Sequence, residues 1–273
     1  MSGRPPKILV FDSGIGGLSV LREIARAMPA AELVYVADDA GFPYGRWEAA
    51  ALVGHVADLV ADLVAGHAPD GVVIACNTAS TLVLPVLRAR LGVPVIGTVP
   101  AIKPAAERTT SGLVSVLATP GTVARDYTRQ LVETHARGAE VNLVGSMRLA
   151  GLAEARMRGW PIDRAAVEAE IRPCFVARDG RRTDVVVLAC THYPFLADLF
   201  EQLAPWPVAW IDPAPAIARR TRDVLLGEDE GDRPAEPSKQ GVVRGEALFT
   251  SGAAPEPGLA RLLASYGLIS TAH

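Results

Sequence analysis

Lysine is scarce in this chain. It stands only at positions 7, 103 and 239, although Lys and Arg together number 27. A pyridoxal phosphate enzyme needs a Schiff-base lysine. Lys7 precedes the first apolar run and Lys239 lies in a charged stretch, so only Lys103, at a candidate helix start, is placed to serve. Cysteine is scarce too. Three cysteines in 273 residues are an odd count and too few for a disulfide framework. Reduced thiols and a cytoplasmic location are the expectation. No basic cluster appears and the net charge is −3, which argues against nucleic-acid binding. Only a few apolar residues lie ahead of Asp12, short of a signal peptide. No apolar run reads as a membrane span, which needs about 18–20 residues.

Gly (25) and Pro (21) are frequent, as expected for short elements joined by tight connections. Apolar runs predict strands at Ile8–Phe11, Leu33–Val36, Val72–Ala75, Val93–Ile96, Leu113–Leu117, Val141–Val144, Val185–Ala189, Val208–Ile211 and Ala247–Thr250. Helical spacing predicts helices over Trp47–Val64, Gly121–His135, Ile162–Val176, Pro213–Leu226 and Pro257–Tyr266. Strands alternating with helices give an α/β fold with parallel sheets covered on both faces. Gly227–Gly245 is charged and rich in Gly and Pro, and reads as a flexible loop.

A long-range repeat carries the chemistry. Val72-Val73-Ile74-Ala75-Cys76-Asn77-Thr78 resembles Val186-Val187-Leu188-Ala189-Cys190-Thr191-His192. Two halves of like build would each offer a thiol at the carboxyl end of a strand, where α/β sheets bind ligands. Cys174, in a predicted helix beside Phe175, reads as a small buried hydrophobe. Four chemistries remain open for Cys76 and Cys190. They are a disulfide, a zinc site with His192, a Cys190–His192 nucleophile pair, and two-base proton transfer at a carbon. The nucleophile pair leaves Cys76 idle, whereas the last needs two weak acids of one type, one in each half, and so uses the repeat itself.

Asp12-Ser13-Gly14-Ile15-Gly16-Gly17-Leu18-Ser19 follows a strand and precedes a helix. It approaches a dinucleotide fingerprint, with Asp38 where a ribose-binding acid belongs, but Ser19 stands where the last glycine should be. The same glycines allow a small anion to approach a helix N-terminus, with Asp12 meeting an ammonium or capping the helix. Tyr44 and Gly45 line a pocket or form a plain turn.

Phe11-Asp12-Ser13-Gly14-Ile15-Gly16-Gly17, Pro43-Tyr44-Gly45, Ala75-Cys76-Asn77-Thr78-Ala79-Ser80, Ala118-Thr119-Pro120-Gly121-Thr122 and Cys190-Thr191-His192-Tyr193-Pro194 occur in order. Together they resemble the glutamate racemases of the aspartate/glutamate racemase superfamily. The resemblance implies two pseudo-symmetric α/β domains with the active site between them. It places the first at 1–97 plus 211–273 and the second at 98–210. It implies a cofactor-independent isomerase that interconverts L- and D-glutamate for peptidoglycan synthesis. Cys76 and Cys190 become the acid/base pair, assisted by Asp12 and His192. Asp12, Ser13, Tyr44, Gly45, Asn77, Thr78, Thr191 and His192 become substrate contacts, with no metal and no cofactor. Helix N-termini after Cys76 and Cys190 are expected to favour thiolate. Gly145-Ser146 departs from the Cys-Pro common in the family, which argues against a catalytic role for Glu154.

An aspartate-specific racemase, a nicotinamide dehydrogenase and a regulatory binding protein are the rivals. The resemblance also raises a homodimer and a contact with DNA gyrase; no residue here points to either.

Overall fold

The computed structural model describes residues 4–227 and 244–272. The chain starts as strand–helix alternation: β1 (Lys7–Asp12), α1 (Leu18–Ala27), β2 (Glu32–Ala37), α2 (Ala49–His67), β3 (Gly71–Ile74), α3 (Asn77–Arg90) and β4 (Val95–Gly97). It continues through α4 (Ile102–Arg108), β5 (Leu113–Ala118), α5 (Pro120–Val123), α6 (Asp126–His135), β6 (Glu140–Gly145), α7 (Leu149–Met157) and α8 (Arg164–Ile171). Then come β7 (Ala177–Arg178), β8 (Arg181–Arg182), β9 (Val185–Ala189), α9 (Ala197–Leu203) and β10 (Ala209–Ile211). The described chain ends with α10 (Ala214–Leu226), β11 (Arg244–Phe249), α11 (Pro257–Ser265) and β12 (Leu268–Ala272).

Two sheets result. The first has the order β12-β11-β2-β1-β3-β4 and the second β10-β9-β5-β6. Every pairing within them is parallel. Strands in such sheets are apolar on both faces, because helices cover both. In β1, Ile8 and Val10 pack with α1 and α10, while Leu9 and Phe11 pack with α2 and α3. The second sheet repeats this. Val186 and Leu188 face Ala153, Val167 and Phe200, whereas Val185 and Val187 face Ile102 and Ala105.

Several expectations need correction. The Gly121–His135 helix is broken at Arg125, whose extended backbone separates α5 from α6. The Ile162–Val176 helix stops at Ile171, where Pro173 lacks the N–H to extend it. Cys174 therefore ends a short 3₁₀ turn instead of lying in a helix, though it is fully buried as expected. Strand β11 begins at Arg244, so the end of the predicted 227–245 loop is ordered; residues 228–243 lie outside the described residues. Gly245 is needed there, because a Cβ would lie 2.0 Å from the Leu33 carbonyl oxygen.

The membrane reading also needs amending. By length and composition α2, with 19 residues and a mean hydropathy of 1.6, could cross a bilayer. In the fold its Leu52, Val56, Val60 and Leu63 pack on the first sheet instead. Strand β12 and the β7–β8 hairpin are additional to the strands that the apolar runs predict. The hairpin turns at Asp179-Gly180, both with positive φ, a turn signal visible in the sequence.

Candidate active site

The carboxyl ends of the central strands carry the candidate residues. Asp12 is the last residue of β1 and has no exposed surface. It accepts hydrogen bonds from the Gly14 amide at 3.2 Å and the Thr191 hydroxyl at 3.1 Å. Burial pushes its pKa from 3.8 up to about 6, against the opposing pull of His192 and Thr191. Cys76 follows β3 and is the N-cap of α3. Its thiol donates to Ser13 Oγ at 3.5 Å. Burial first, then the Asp12 charge, push the thiol up to about 12, and Ser13 and the Ala79 amide offset only part of this. The helix N-terminus expected behind Cys76 is thus present but outweighed by desolvation.

Cys190 follows β9, and its Sγ lies 3.7 Å from His192 Nδ1. No helix starts there. A 3₁₀ turn over Tyr193–Leu196 comes first and α9 begins only at Ala197, which corrects the expectation of a second helix N-terminus. The group beside this thiol is an imidazole instead. Burial lowers the His192 pKa, but hydrogen bonds to Cys190 and Glu154, and their charges, raise it well above its usual value. His192 Nε2 lies 2.9 Å from Glu154 Oε1. The same oxygen accepts the Ile15 amide at 2.9 Å. Glu154, doubted from the sequence, is therefore part of the site. Its His192 contact holds its pKa below the usual value despite burial.

The glycine loop explains itself here. A Cβ on Gly16 would lie 2.5 Å from His192 Nδ1, and one on Gly14 would lie 2.4 Å from Glu154 Oε1. The glycines let the loop approach the other sheet's side chains, a use that needs no dinucleotide. Asp38, the candidate ribose ligand, is already saturated. Tyr44 donates to it in a very short hydrogen bond, His55 Nε2 lies at 2.6 Å and Thr250 donates at 2.6 Å. The zinc reading also loses its basis: among the described residues no group of three or more His, Cys, Asp and Glu could hold a metal ion.

The other predicted contacts gather around the thiols. Thr191 bonds Asp12 through its hydroxyl and Ser19 through its carbonyl, which ties the second sheet to the first. Asn77 Oδ1 is buried without a hydrogen-bond partner, an acceptor free for a ligand. Thr78 Oγ1 meets Thr119 Oγ1 at 2.9 Å and Thr122 Oγ1 at 3.4 Å. Gly45 packs beside Thr119, where an added Cβ would meet it at 3.6 Å. Thr119 and Thr122 stand in the Ala118–Thr122 motif with no site signal of their own in the sequence; their hydroxyls meet Thr78 only once both sheets are in place. Cys76 and Cys190, from different sheets, lie near enough for the Cys190 charge to bear on Cys76.

A family profile described as Asp/Glu/Hydantoin racemase matches residues 8–221. The chain belongs to this racemase family. Similar curated proteins include the glutamate racemase of Brucella canis, 56% identical over 96% of this chain and 92% of its own length. Among solved structures, Escherichia coli glutamate racemase, in complex with L-glutamate and the activator UDP-MurNAc-Ala, is 38% identical with a TM-score of 0.85. The alignment covers 98% of this chain and 97% of that one. Thermus thermophilus glutamate racemase, bound to β-chloro-D-alanine, is 28% identical with a TM-score of 0.72 and covers 100% and 98%. The chain is an isomerase, and its two parallel sheets flanked by helices match the two-domain architecture of these racemases.

Proposed function

We propose that this racemase interconverts L- and D-glutamate by two-base proton transfer between Cys76 and Cys190, without a cofactor. One observation carries the reading. Each thiol lies just past a strand of a different sheet, and each has its own proton-handling neighbour, Asp12 near Cys76 and His192 beside Cys190. The glutamate racemases similar to this chain, one of them crystallised with L-glutamate, support the choice of substrate.

In this reading one sulfur, as thiolate, removes the α-proton, and the C–H electron pair stays on the substrate as a carbanion stabilised by its carboxylate. The other sulfur, as thiol, delivers its proton to the opposite face. The configuration inverts and the thiol and thiolate exchange places. Hydroxyls and amide groups at Ser13, Asn77, Thr78 and Thr191 hold the substrate carboxylates, where stabilisation grows with the developing charge. Tyr44 and Gly45 close one wall. Asp12 and the unpartnered Asn77 Oδ1 face the ammonium. D-Glutamate made this way serves peptidoglycan synthesis, and we place the protein in the cytoplasm.

The test is incubation with L-glutamate in D2O and no added cofactor. Optical activity should decay with deuterium entering at Cα. Cys76→Ala and Cys190→Ala should each stop racemisation. Wild-type turnover in either variant, or a demand for added cofactor, overturns the reading.

A further inference from the structure

Glu154 sits where the two sheets meet, and its two oxygens have different duties. Oε1 takes the Ile15 amide from the glycine loop and faces His192. Oε2 is held by Arg158, one turn further along the helix, at 3.0 Å from Nη2 and 3.3 Å from Nε. Arg158 is itself fixed from outside. Its guanidinium lies 5.9 Å from the Trp160 ring centroid. Its backbone carbonyl packs so closely on Gly258 of α11 that a Cβ there would lie 1.9 Å from the oxygen. An arginine held at head and backbone fixes the oxygen it grips, and with Oε2 on Arg158 and Oε1 on the Ile15 amide the carboxyl group is anchored at both oxygens and restrained from rotating.

We infer that Arg158 is a positioning residue of the reaction: by holding Glu154 Oε2 it aims Oε1 at His192, and so keeps the imidazole against Cys190 Sγ. The inference rests on the two-thiol reading above and deepens it. Arg158 touches neither substrate nor sulfur, and it acts through Glu154.

Charge adds a sign to the geometry. The groups facing His192 are Cys190 at the end of β9, Glu154 on α7 and Asp12 at the end of β1. The Tyr35 hydroxyl lies behind Asp12 and Glu154. Three of these are acids that favour imidazolium. Arg158 is the cation on the far side of Glu154, and it shares that carboxylate's charge. Without it the imidazole would hold its proton more tightly and pass it on less readily.

The decisive measurement is the titration of His192 by NMR in the full, substrate-free chain with ¹⁵N-labelled histidine. Arg158→Gln should raise the His192 midpoint by about one unit, and Arg158→Lys should return it towards wild type. In racemisation assays kcat of Arg158→Gln should fall about tenfold or more with KM little changed. If Arg158→Gln fails to fold, Arg158→Met, which keeps the apolar stem, replaces it. A His192 midpoint that does not move, or one that Lys fails to restore, overturns the inference. The titration needs no substrate. An inactive wild type would therefore sink the glutamate reading and leave the Arg158 result to stand or fall alone.

Discussion

A carboxylate with no exposed surface is costly to keep charged, and Asp12 is one. Its folded pKa of about 6 lies above the ordinary 3.8. The folded protein therefore holds a proton at Asp12 that the unfolded chain releases between those values. Stability from this group is present below the lower value and is lost as pH rises through the upper one. At neutral pH the cost is about 3 kcal/mol. Measured by urea unfolding, Asp12→Ala should gain on wild type by roughly that amount between about pH 4 and about pH 7. A difference that stays flat with pH would mean that burial does not shift Asp12. In the racemisation assay the same group predicts an acid limb. Activity falls as pH drops through about 6, because the protonated carboxyl no longer faces the ammonium. Asp12→Asn should be slow at every pH and lack that limb. Cys76, pushed up to about 12, rests as the neutral thiol, ready to donate a proton before it accepts one. The site is thus asymmetric when empty, with an imidazole beside only one of its sulfurs.

The glycine loop between β1 and α1 sets the distance between the two sheets at the site. Gly16 lies flat against the His192 ring, so Gly16→Ala must push the imidazole away from Cys190 or Glu154. Activity should drop about a hundredfold, the scale of an ångström's misplacement. Far-ultraviolet circular dichroism should stay unchanged, because the loop lies outside the strands. Unimpaired turnover in Gly16→Ala would show that this packing does not matter. At this scale the sequence was legible where structure is local. Doubly buried parallel strands write continuous apolar runs, and each of the nine predicted runs overlaps a strand. Cys76 and Cys190 were legible through their matched context. Glu154 was not, because its partners His192 and Ile15 lie 38 and 139 residues away. The break at Arg125 and the terminal strand β12 have no spacing signal of their own. The glycines were readable as a close approach, but what they approach is a histidine from the other sheet.

Across the whole molecule the site is a seam closed by bonds between the sheets. Thr191 donates to Asp12, Ser19 donates to the Thr191 carbonyl, Ile15 donates to Glu154, and Thr78 meets Thr119. Cys76 and Cys190 keep only 5% and 6% of their surface exposed, and Cys174 keeps none. With so little of either sulfur exposed, substrate exchange is predicted to need relative motion of the two sheets. Alkylation reads this motion directly, because the reagent needs the same opening. Iodoacetamide should label Cys76 and Cys190 slowly in the free protein, and glutamate should slow it further by holding the seam shut. Ser19→Ala, which removes one crossing bond, should speed labelling. Cys174 lies inside the core beside Val167 and Ile171 and does not face the seam, so it should stay unlabelled until the protein unfolds. Peptide mapping by mass spectrometry separates the three. If Cys174 reacts as fast as the other two, access comes from general loosening of the fold and not from the seam. If glutamate gives no protection, the ligand does not bind between the sulfurs.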